Sequence, residues 1–535
     1  MLRRTLAALR RQLGCSDDAV IVLSLATIAA SFALMFWNLD AQPFWVDEAI
    51  AAFPAQRILT EGVPSNPVDL DFMAPQLQDD LWDPSAPLYR YSLAAVAGIF
   101  GFSETTTRGF SVFAALVMLV PCFLLFRRLY GATTALLACA FLSAMPHFAD
   151  FSREARHFTF VACMMAFAFY FLVDASSSGG RERSRGLWPP FLAATVLAHA
   201  IGYLVVPVVL VFLPFAWTRP LLSKHYLAAN AIALLVYAGI QAKYYDTLPF
   251  FHSVGCHNQP AGCHPSSFYY VGVLLTFLNG AELENDPSPF VLLGNLFLPL
   301  MLLGIGIAAV VSRIGKDAEL RPGHALTLAW FLVPLVLLST RDVKFPRYLV
   351  YILPSTALFM ARGLTALPLK TPARVALAAA VILAPRLTEE GEGRGRSLGF
   401  ESRTLAHAVE TSLDPETDNW ENIGKQVEFF EKNLQPGDIV VTSLDDGSLG
   451  YYLGRFVYGF LDSAHDDEFF LRLLAEAKKR GSRLWFVDTL PFHNYCHTPG
   501  SEPVSIDCRL KYRGFYEACL PSSPTFESTC ARLRF

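Results

Sequence analysis

Two neighbouring carboxylates, Asp47 and Glu48, stand directly after the first apolar segment of the chain, residues 20–37, inside Phe44-Trp45-Val46-Asp47-Glu48-Ala49. An ionised side chain at the edge of hydrocarbon is costly, and one that stays there faces a polar cavity or a partner. A carboxylate so placed can take a proton from a hydroxyl nucleophile or steady positive charge on a reacting carbon. The plainer use of the pair is a solvated loop in which Glu48 caps a short helix.

Cations form the second group. Arg57 and Arg90 follow the acidic pair, Arg153 and Arg156 flank Glu154 in Ser152-Arg153-Glu154-Ala155-Arg156-His157, and Arg341, Lys344, Arg347 and Tyr348 close the run 339–348. Guanidinium groups offer a planar fork to phosphate oxygens and an ammonium offers a point charge, so a cavity lined by them matches an anionic lipid headgroup. Snorkelling or local ion pairing is the ordinary fate of any one of them, and Glu154 is expected to pair with Arg153 or Arg156. A carboxylate on one side and cations on the other are the parts of an inverting displacement in which a sugar leaves a lipid phosphate. Tyr89, His157 and His199 join the list as substrate contacts, with a satisfied buried histidine as the alternative for His199. Asp69-Leu70-Asp71 matches the acidic metal motif of soluble glycosyltransferases only superficially, and His252, His257 and His264 read as loop surface.

The elements that must position these groups are membrane helices. The 535 residues are 53% hydrophobic and 17% charged, with 43 Phe and a positive mean hydropathy, which indicates a polytopic membrane protein. A net charge of -4 provides no general basic field and argues against nucleic acid as a partner. Apolar runs near 20–37, 109–126, 132–148, 158–173, 188–202, 203–217, 226–242, 290–311, 323–339, 346–361 and 373–385 predict about eleven spans. The first, flanked by Arg3, Arg4, Arg10 and Arg11, reads as a retained signal anchor. Arg127 with Arg128, the arginines of 181–185, Arg219 with Lys224, Arg313 with Lys316, and Arg362 with Lys370 fall on alternate connections, which places those connections and the N-terminus in the cytoplasm. The acidic pair and the second group of cations then lie on the outer side.

Residues 1–385 are therefore expected to form a membrane domain, with outer loops at 38–108 and 244–289, and residues 386–535 an extracytoplasmic domain. The stretches 47–62 and 86–101 read as amphipathic helices along the interface. In the outer domain, 420–434 and 469–480 have helical spacing while 438–443 and 483–488 are β-rich, the alternation of a small α/β domain. It has no Gly-rich phosphate motif. Six of the ten cysteines (Cys256, Cys263, Cys496, Cys508, Cys519, Cys530) fall outside, and Cys256 and Cys263, flanking Pro260 and Gly262, are expected to form a small-loop disulfide. Zinc binding by Cys256-His257 and Cys263-His264 is the alternative.

An ordered set of motifs resembles the membrane-embedded GT-C glycosyltransferases that use polyprenyl-phosphate sugars, in the branch of the protein O-mannosyltransferases and the lipid A aminoarabinose transferase. The set comprises Trp45-Val46-Asp47-Glu48-Ala49, Gly101-Phe102-Ser103-Glu104 ahead of Arg108, Arg127-Arg128-Leu129-Tyr130-Gly131, Ser152-Arg153-Glu154-Ala155-Arg156, and Pro346-Arg347-Tyr348-Leu349 before Pro354. The resemblance covers most of residues 40–365. It implies a GT-C fold, an extracytoplasmic active site, Asp47 as catalytic base with Glu48 supporting it or sharing a divalent metal, and a lipid-phosphate pocket drawing on Arg153, Arg156, Lys344 and Arg347. Relatives place Lys or His before a Pro-Pro in the first loop, where this chain has Ser85-Ala86-Pro87-Leu88-Tyr89, which leaves Arg90 as the substitute. His157-Phe158 stands where some relatives carry Asp or Tyr, so metal dependence stays open. The expected protein is a multi-pass inner-membrane enzyme moving one sugar from a polyprenyl-phosphate donor to a glycolipid, polysaccharide or protein outside the cytoplasm. A lipid-phosphate-binding or transport protein without chemistry is the competing class.

Overall fold

The computed structural model describes residues 2–40, 44, 46–64, 86–176, 182–216, 231, 235, 297–339, 346–383, 427–428, 430–442, 452–453, 458–459, 483–487, 507–512 and 515–519. The chain divides into two compact units, one of residues 1–41 and 84–415 and one of residues 42–83 and 416–535. Residues 42–83, the larger part of the expected first outer loop, thus group with the C-terminal residues.

The first unit is helical. Helix α1 (Leu2–Leu13) ends in Arg10 and Arg11, and α2 (Asp18–Phe36) starts at Asp17, whose side chain accepts from the Val20 N–H. An N-cap carboxylate satisfies an amide that the first turn leaves without a partner. After α4 (Pro87–Phe100), whose first turn opens on a proline, comes the long α5 (Glu104–Tyr130), capped by Ser103. Helix α6 (Ala132–Ala144) bends by 64° into α7 (Pro146–Arg153). Pro146 is the cause, because the residue before a proline is driven out of the helical region, and Met145 is extended at φ -64 and ψ 124. The unit continues through α8 (Phe158–Ser176), α9 (Glu182–Ala198), a 3₁₀ turn (Ala200–Leu204) and α10 (Val205–Ala216). Then follow α11 (Leu298–Lys316), α12 (Arg321–Ser339), a second 3₁₀ turn (Pro346–Tyr351), α13 (Leu353–Ala366) and α14 (Thr371–Leu383).

Among the described residues five helices are long and apolar enough to cross a membrane, or six if the bent α6–α7 pair is one span. The protein is a multi-pass membrane protein. The eleven expected spans include 226–242, which lies outside the described residues except for single positions.

Glycines set the closest helix crossing. A Cβ on Gly306 of α11 would lie 1.8 Å from the Phe359 carbonyl oxygen, and one on Gly363 of α13 would lie 2.0 Å from that of Leu302. Backbones this near exclude every larger residue, which is how small side chains join helices where lipid gives no hydrophobic drive. Beside this crossing, Trp330 packs edge-on against Phe169 and donates its indole N–H to the Tyr351 carbonyl at 2.7 Å.

The second unit contains α3 (Val46–Glu61) and a five-stranded mixed sheet in the order β2-β1-β3-β5-β4. Its strands are β1 (Ile439–Thr442), β2 (Tyr458–Gly459), β3 (Leu484–Val487), β4 (Asp507–Tyr512) and β5 (Phe515–Cys519). β1 runs parallel to both β2 and β3, whereas β3–β5 and β4–β5 are antiparallel. Phe430, Val440 and Trp485 form its core. At the lead-in to α3, the Phe44 N–H donates to the Tyr452 hydroxyl at 2.8 Å, and their rings lie 6.3 Å apart. Asp438 accepts from Arg483 Nη2 at 2.6 Å, the Gln435 N–H at 2.9 Å and Trp485 Nε1 at 3.1 Å. Burial alone would push this carboxyl up, but those hydrogen bonds, led by Arg483, hold it below the usual carboxylate range.

Candidate functional site

A non-helical hinge separates α7 from α8. Glu154 is extended at φ -72 and ψ 137, the Arg156 N–H turns back to the Glu154 carbonyl at 2.7 Å, and α8 restarts at Phe158. The hinge is fastened to α5, since Ser111 Oγ donates to the Arg156 carbonyl at 3.2 Å and Thr159 Oγ1 donates to the Ser111 carbonyl at 3.0 Å. Four polar residues, Arg153, Glu154, Arg156 and His157, are thereby held at one break between helices.

Arg153 is committed to the backbone of α2. Its Nη1 donates to the carbonyls of Leu34, Met35 and Trp37 at 3.0, 2.9 and 2.7 Å, and Nη2 donates to Asn38 at 3.1 Å. Apart from Leu34, whose carbonyl also accepts from the Trp37 N–H, these are carbonyls that the end of a helix leaves without partners, and a cation there also meets the negative end of the helix dipole. Arg108 Nη1 extends the grip by donating to the Leu39 carbonyl at 2.7 Å.

Arg156 and Arg347 converge. Their guanidinium carbons stand 5.6 and 5.8 Å from the Phe158 ring centroid, Arg156 from the hinge and Arg347 from the second 3₁₀ turn. The ring of Tyr351, one 3₁₀ turn beyond Arg347, is 6.4 Å from Phe158, and Tyr348 lies on the same turn. An aromatic face attracts both cations and partly offsets the cost of collecting like charges.

Next to them His157 stacks on His199, with ring centroids 3.4 Å apart and planes 8° from parallel. The close approach depends on the turn after α9. There the Gly202 N–H bonds to the His199 carbonyl at 2.8 Å, and a Cβ on Gly202 would fall 2.0 Å from the Thr195 carbonyl oxygen. The Ile201 N–H donates to His199 Nδ1 at 3.1 Å. Burial, then His199, Arg156, Arg347 and Arg90, hold the His157 imidazole well below its ordinary pKa. It is neutral at physiological pH, and its Nε2 has no hydrogen-bond partner among the described residues. Tyr89 and Arg90, both buried in the first turn of α4, complete the wall, with the Tyr89 ring edge-on to His157 at 6.3 Å.

The structure thus brings together Tyr89, Arg90, Arg156, His157, His199, Arg347 and Tyr348 around one point of the helical unit. Glu154, half-buried, sits at the hinge itself. Arg57 and Glu48 belong to the other unit, where Arg57 is ion-paired with Glu61 one turn on and Glu48 is fully buried in α3. Asp47 is the second residue of α3, and its side chain, like Arg341, Lys344, Cys256 and Cys263, lies outside the described residues. Among the described residues no group of three His, Cys, Asp or Glu side chains is arranged to hold a metal ion. Phe158, Tyr351 and the Gly202 turn escaped sequence reasoning, because an aromatic residue at a helix start and a glycine in an apolar run carry no signal until the neighbouring elements are in place.

The fold has known relatives. ArnT from Cupriavidus metallidurans in the apo state superimposes with a TM-score of 0.61 at 13% identity, covering 92% of this chain and 97% of that one. The chain has the GT-C fold of membrane glycosyltransferases. ArnT bound to undecaprenyl phosphate gives a TM-score of 0.60 at 14% identity with the same coverage. The Archaeoglobus fulgidus oligosaccharyltransferase in complex with Zn and sulfate gives 0.51 at 14% identity, covering 87% of this chain and 68% of that one. A family model described as dolichyl-phosphate-mannose-protein mannosyltransferase matches residues 84–240, the part of the GT-C fold that carries Arg90, the α7–α8 hinge and His199. No curated protein matches the chain.

Proposed function

We propose that this protein transfers one sugar from a polyprenyl-phosphate carrier to a hydroxyl acceptor on the extracytoplasmic face of the bacterial inner membrane. The observation that carries this reading is the convergence of Arg156 and Arg347 over Phe158, with Arg90 in electrostatic reach of the neutral His157 between them. Three guanidinium groups from three elements, Arg90 buried and Arg156 and Arg347 half-buried, suit a phosphate whose negative charge grows as the sugar departs.

In the proposed reaction the Asp47 carboxylate removes the proton of the acceptor hydroxyl. The freed oxygen forms a bond to the anomeric carbon as the bond from that carbon to the phosphate oxygen breaks, and the electron pair leaves with the polyprenyl phosphate. Attack opposite the leaving group inverts the anomeric centre. Arg156, Arg347 and Arg90 hold the phosphate, and Lys344 is the further cation that the sequence offers. Tyr348, and the Tyr351 hydroxyl that has no partner among the described residues, would orient it. His157 Nε2 and Tyr89 are suited to sugar hydroxyls, and a neutral imidazole avoids adding a fourth positive charge. Arg153 holds the end of α2. Glu48 supports Asp47, and a divalent metal there would act as a Lewis acid toward the phosphate.

The test incubates purified protein with short-chain polyprenyl-phosphate sugars and a membrane extract, comparing the parent with Asp47→Asn and Arg347→Gln. Loss of a base of this kind lowers turnover by roughly 10²–10⁴-fold. Arg347→Gln is expected to raise KM for the donor. Undiminished transfer by Asp47→Asn removes that residue from the base role, and donor binding without transfer by the parent selects the non-catalytic reading.

A further inference from the structure

The helical unit has a second polar layer, at the end of the bundle away from the α7–α8 hinge. There the Tyr130 hydroxyl lies 2.9 Å from Thr327 Oγ1 and 3.0 Å from His324 Nδ1, and Thr134 bonds to Thr365 at 3.1 Å. These contacts draw the end of α5 and the start of α6 against the start of α12 and the end of α13. Arg313, in the last turn of α11, and Arg362, near the end of α13, both act electrostatically on Tyr130 and His324 and repel one another.

Among the described residues neither guanidinium makes an ion pair. Asp317 is used otherwise: one oxygen accepts from the Leu320 N–H at 3.0 Å and the other lies 3.8 Å from His324 Nε2. Arg362 Nε is shut off from solvent and has no acceptor among the described residues. Snorkelling accounts for an exposed arginine at a membrane boundary such as Arg313, but it does not account for a half-buried guanidinium with a second cation beside it and an orphaned donor. An anion would satisfy both.

The outer face of α11 indicates what kind of anion. Met301 and Val311 are 46% and 48% exposed on this helix, two large apolar side chains that face lipid in a membrane-spanning segment and end at Arg313. We propose that the ends of α11 and α13 form a binding site for the phosphate of an anionic membrane phospholipid. One acyl chain lies along Met301 and Val311, and the headgroup phosphate bridges Arg313 and Arg362 with the Tyr130 hydroxyl nearby. By the distribution of basic loops this is the cytoplasmic leaflet, the opposite face from the proposed reaction. The site ties enzyme stability to bilayer composition and uses no residue of the transfer machinery.

Native mass spectrometry of the delipidated full chain tests it, with phosphatidylglycerol, phosphatidylcholine and inorganic phosphate as separate additions. The parent is expected to retain phosphatidylglycerol at least about tenfold more tightly than phosphatidylcholine, a preference worth about 1.4 kcal/mol. The variant Arg313→Gln with Arg362→Gln is expected to lose that preference while keeping sugar transfer, which serves as the check on its fold. Arg362→Lys, which keeps the charge but not the fork, is expected to fall between the two. Equal retention of both lipids by the parent, or an undiminished preference in the double variant, overturns the proposal. Retention of inorganic phosphate by the parent as tight as that of phosphatidylglycerol overturns the assignment to a lipid.

Discussion

Replacing Arg153 separates two roles that its sequence context allowed, a phosphate ligand and a brace for the end of α2. In the structure its guanidinium spans four carbonyls, from Leu34 to Asn38, at 2.7 to 3.1 Å, and the residue is only 9% exposed. Arg153→Ala takes this donor from the Met35, Trp37 and Asn38 carbonyls, while the Leu34 carbonyl keeps the Trp37 N–H. At the low end of roughly 1–3 kcal/mol for each of these three groups, the loss is about 3 kcal/mol. A chain of this size loses roughly 2 °C of melting temperature per kcal/mol, so a fall on the order of 6 °C is expected in detergent, read by intrinsic fluorescence of the purified protein. Arg153→Lys keeps a charge at the helix end but cannot reach four carbonyls at once, and its fall is expected to be about half as large. Donor affinity of the folded fraction should change little in either variant. An unchanged melting temperature together with lost binding of polyprenyl phosphate would refute the brace and return Arg153 to the phosphate pocket.

Three other outcomes follow from the geometry. Gly363→Ala on α13, whose new methyl would lie 2.0 Å from the Leu302 carbonyl oxygen, is expected to force α11 and α13 apart at a cost of about 1–3 kcal/mol, measured as a lower melting temperature, whereas Gly304→Ala on α11 meets nothing within 4 Å and should be neutral. The folded state keeps His157 neutral while the unfolded chain protonates near pH 6.5, so the contribution of His157 is fully present above about pH 6.5 and declines below it by up to about 1.4 kcal/mol per pH unit. His157→Gln should flatten that part of the stability–pH curve, and an unchanged slope would mean that the imidazole is hydrated. Asp438 is depressed in the folded state, so its contribution is present above the ordinary carboxylate range and is lost as pH falls through its lowered value. Asp438→Asn should remove this acid sensitivity and loosen β1 from β3, visible as faster amide exchange at Val440 and Trp485.

Much of this architecture was legible in the chain. The apolar run at 158–173 became α8, that at 323–339 became α12, and the β-rich stretches at 438–443 and 483–488 contain β1 and β3. Long apolar runs have few alternatives, because a backbone in lipid must satisfy its own hydrogen bonds. The short strands β2, β4 and β5 went unread, since a few residues with β propensity gain their pairing only from neighbours distant in sequence. Charge placement likewise singled out Arg90, Arg156 and Arg347 as cations in an unusual place.

Which cations face one another was decided by tertiary structure. Arg153 and Arg156 are three residues apart in one motif, yet a single break after α7 sends the first to the carbonyls of α2 and the second to the face of Phe158 beside Arg347. No local rule distinguishes them, because the acceptors at Leu34–Asn38 and the ring at Phe158 are set by how separate helices pack. The sequence determined that the chain crosses a membrane and sets cations beside it where hydrocarbon disfavours charge. The direction of each guanidinium, and the stacking of His157 on His199, depended on contacts between residues far apart along the chain, where close packing leaves only one arrangement that fits.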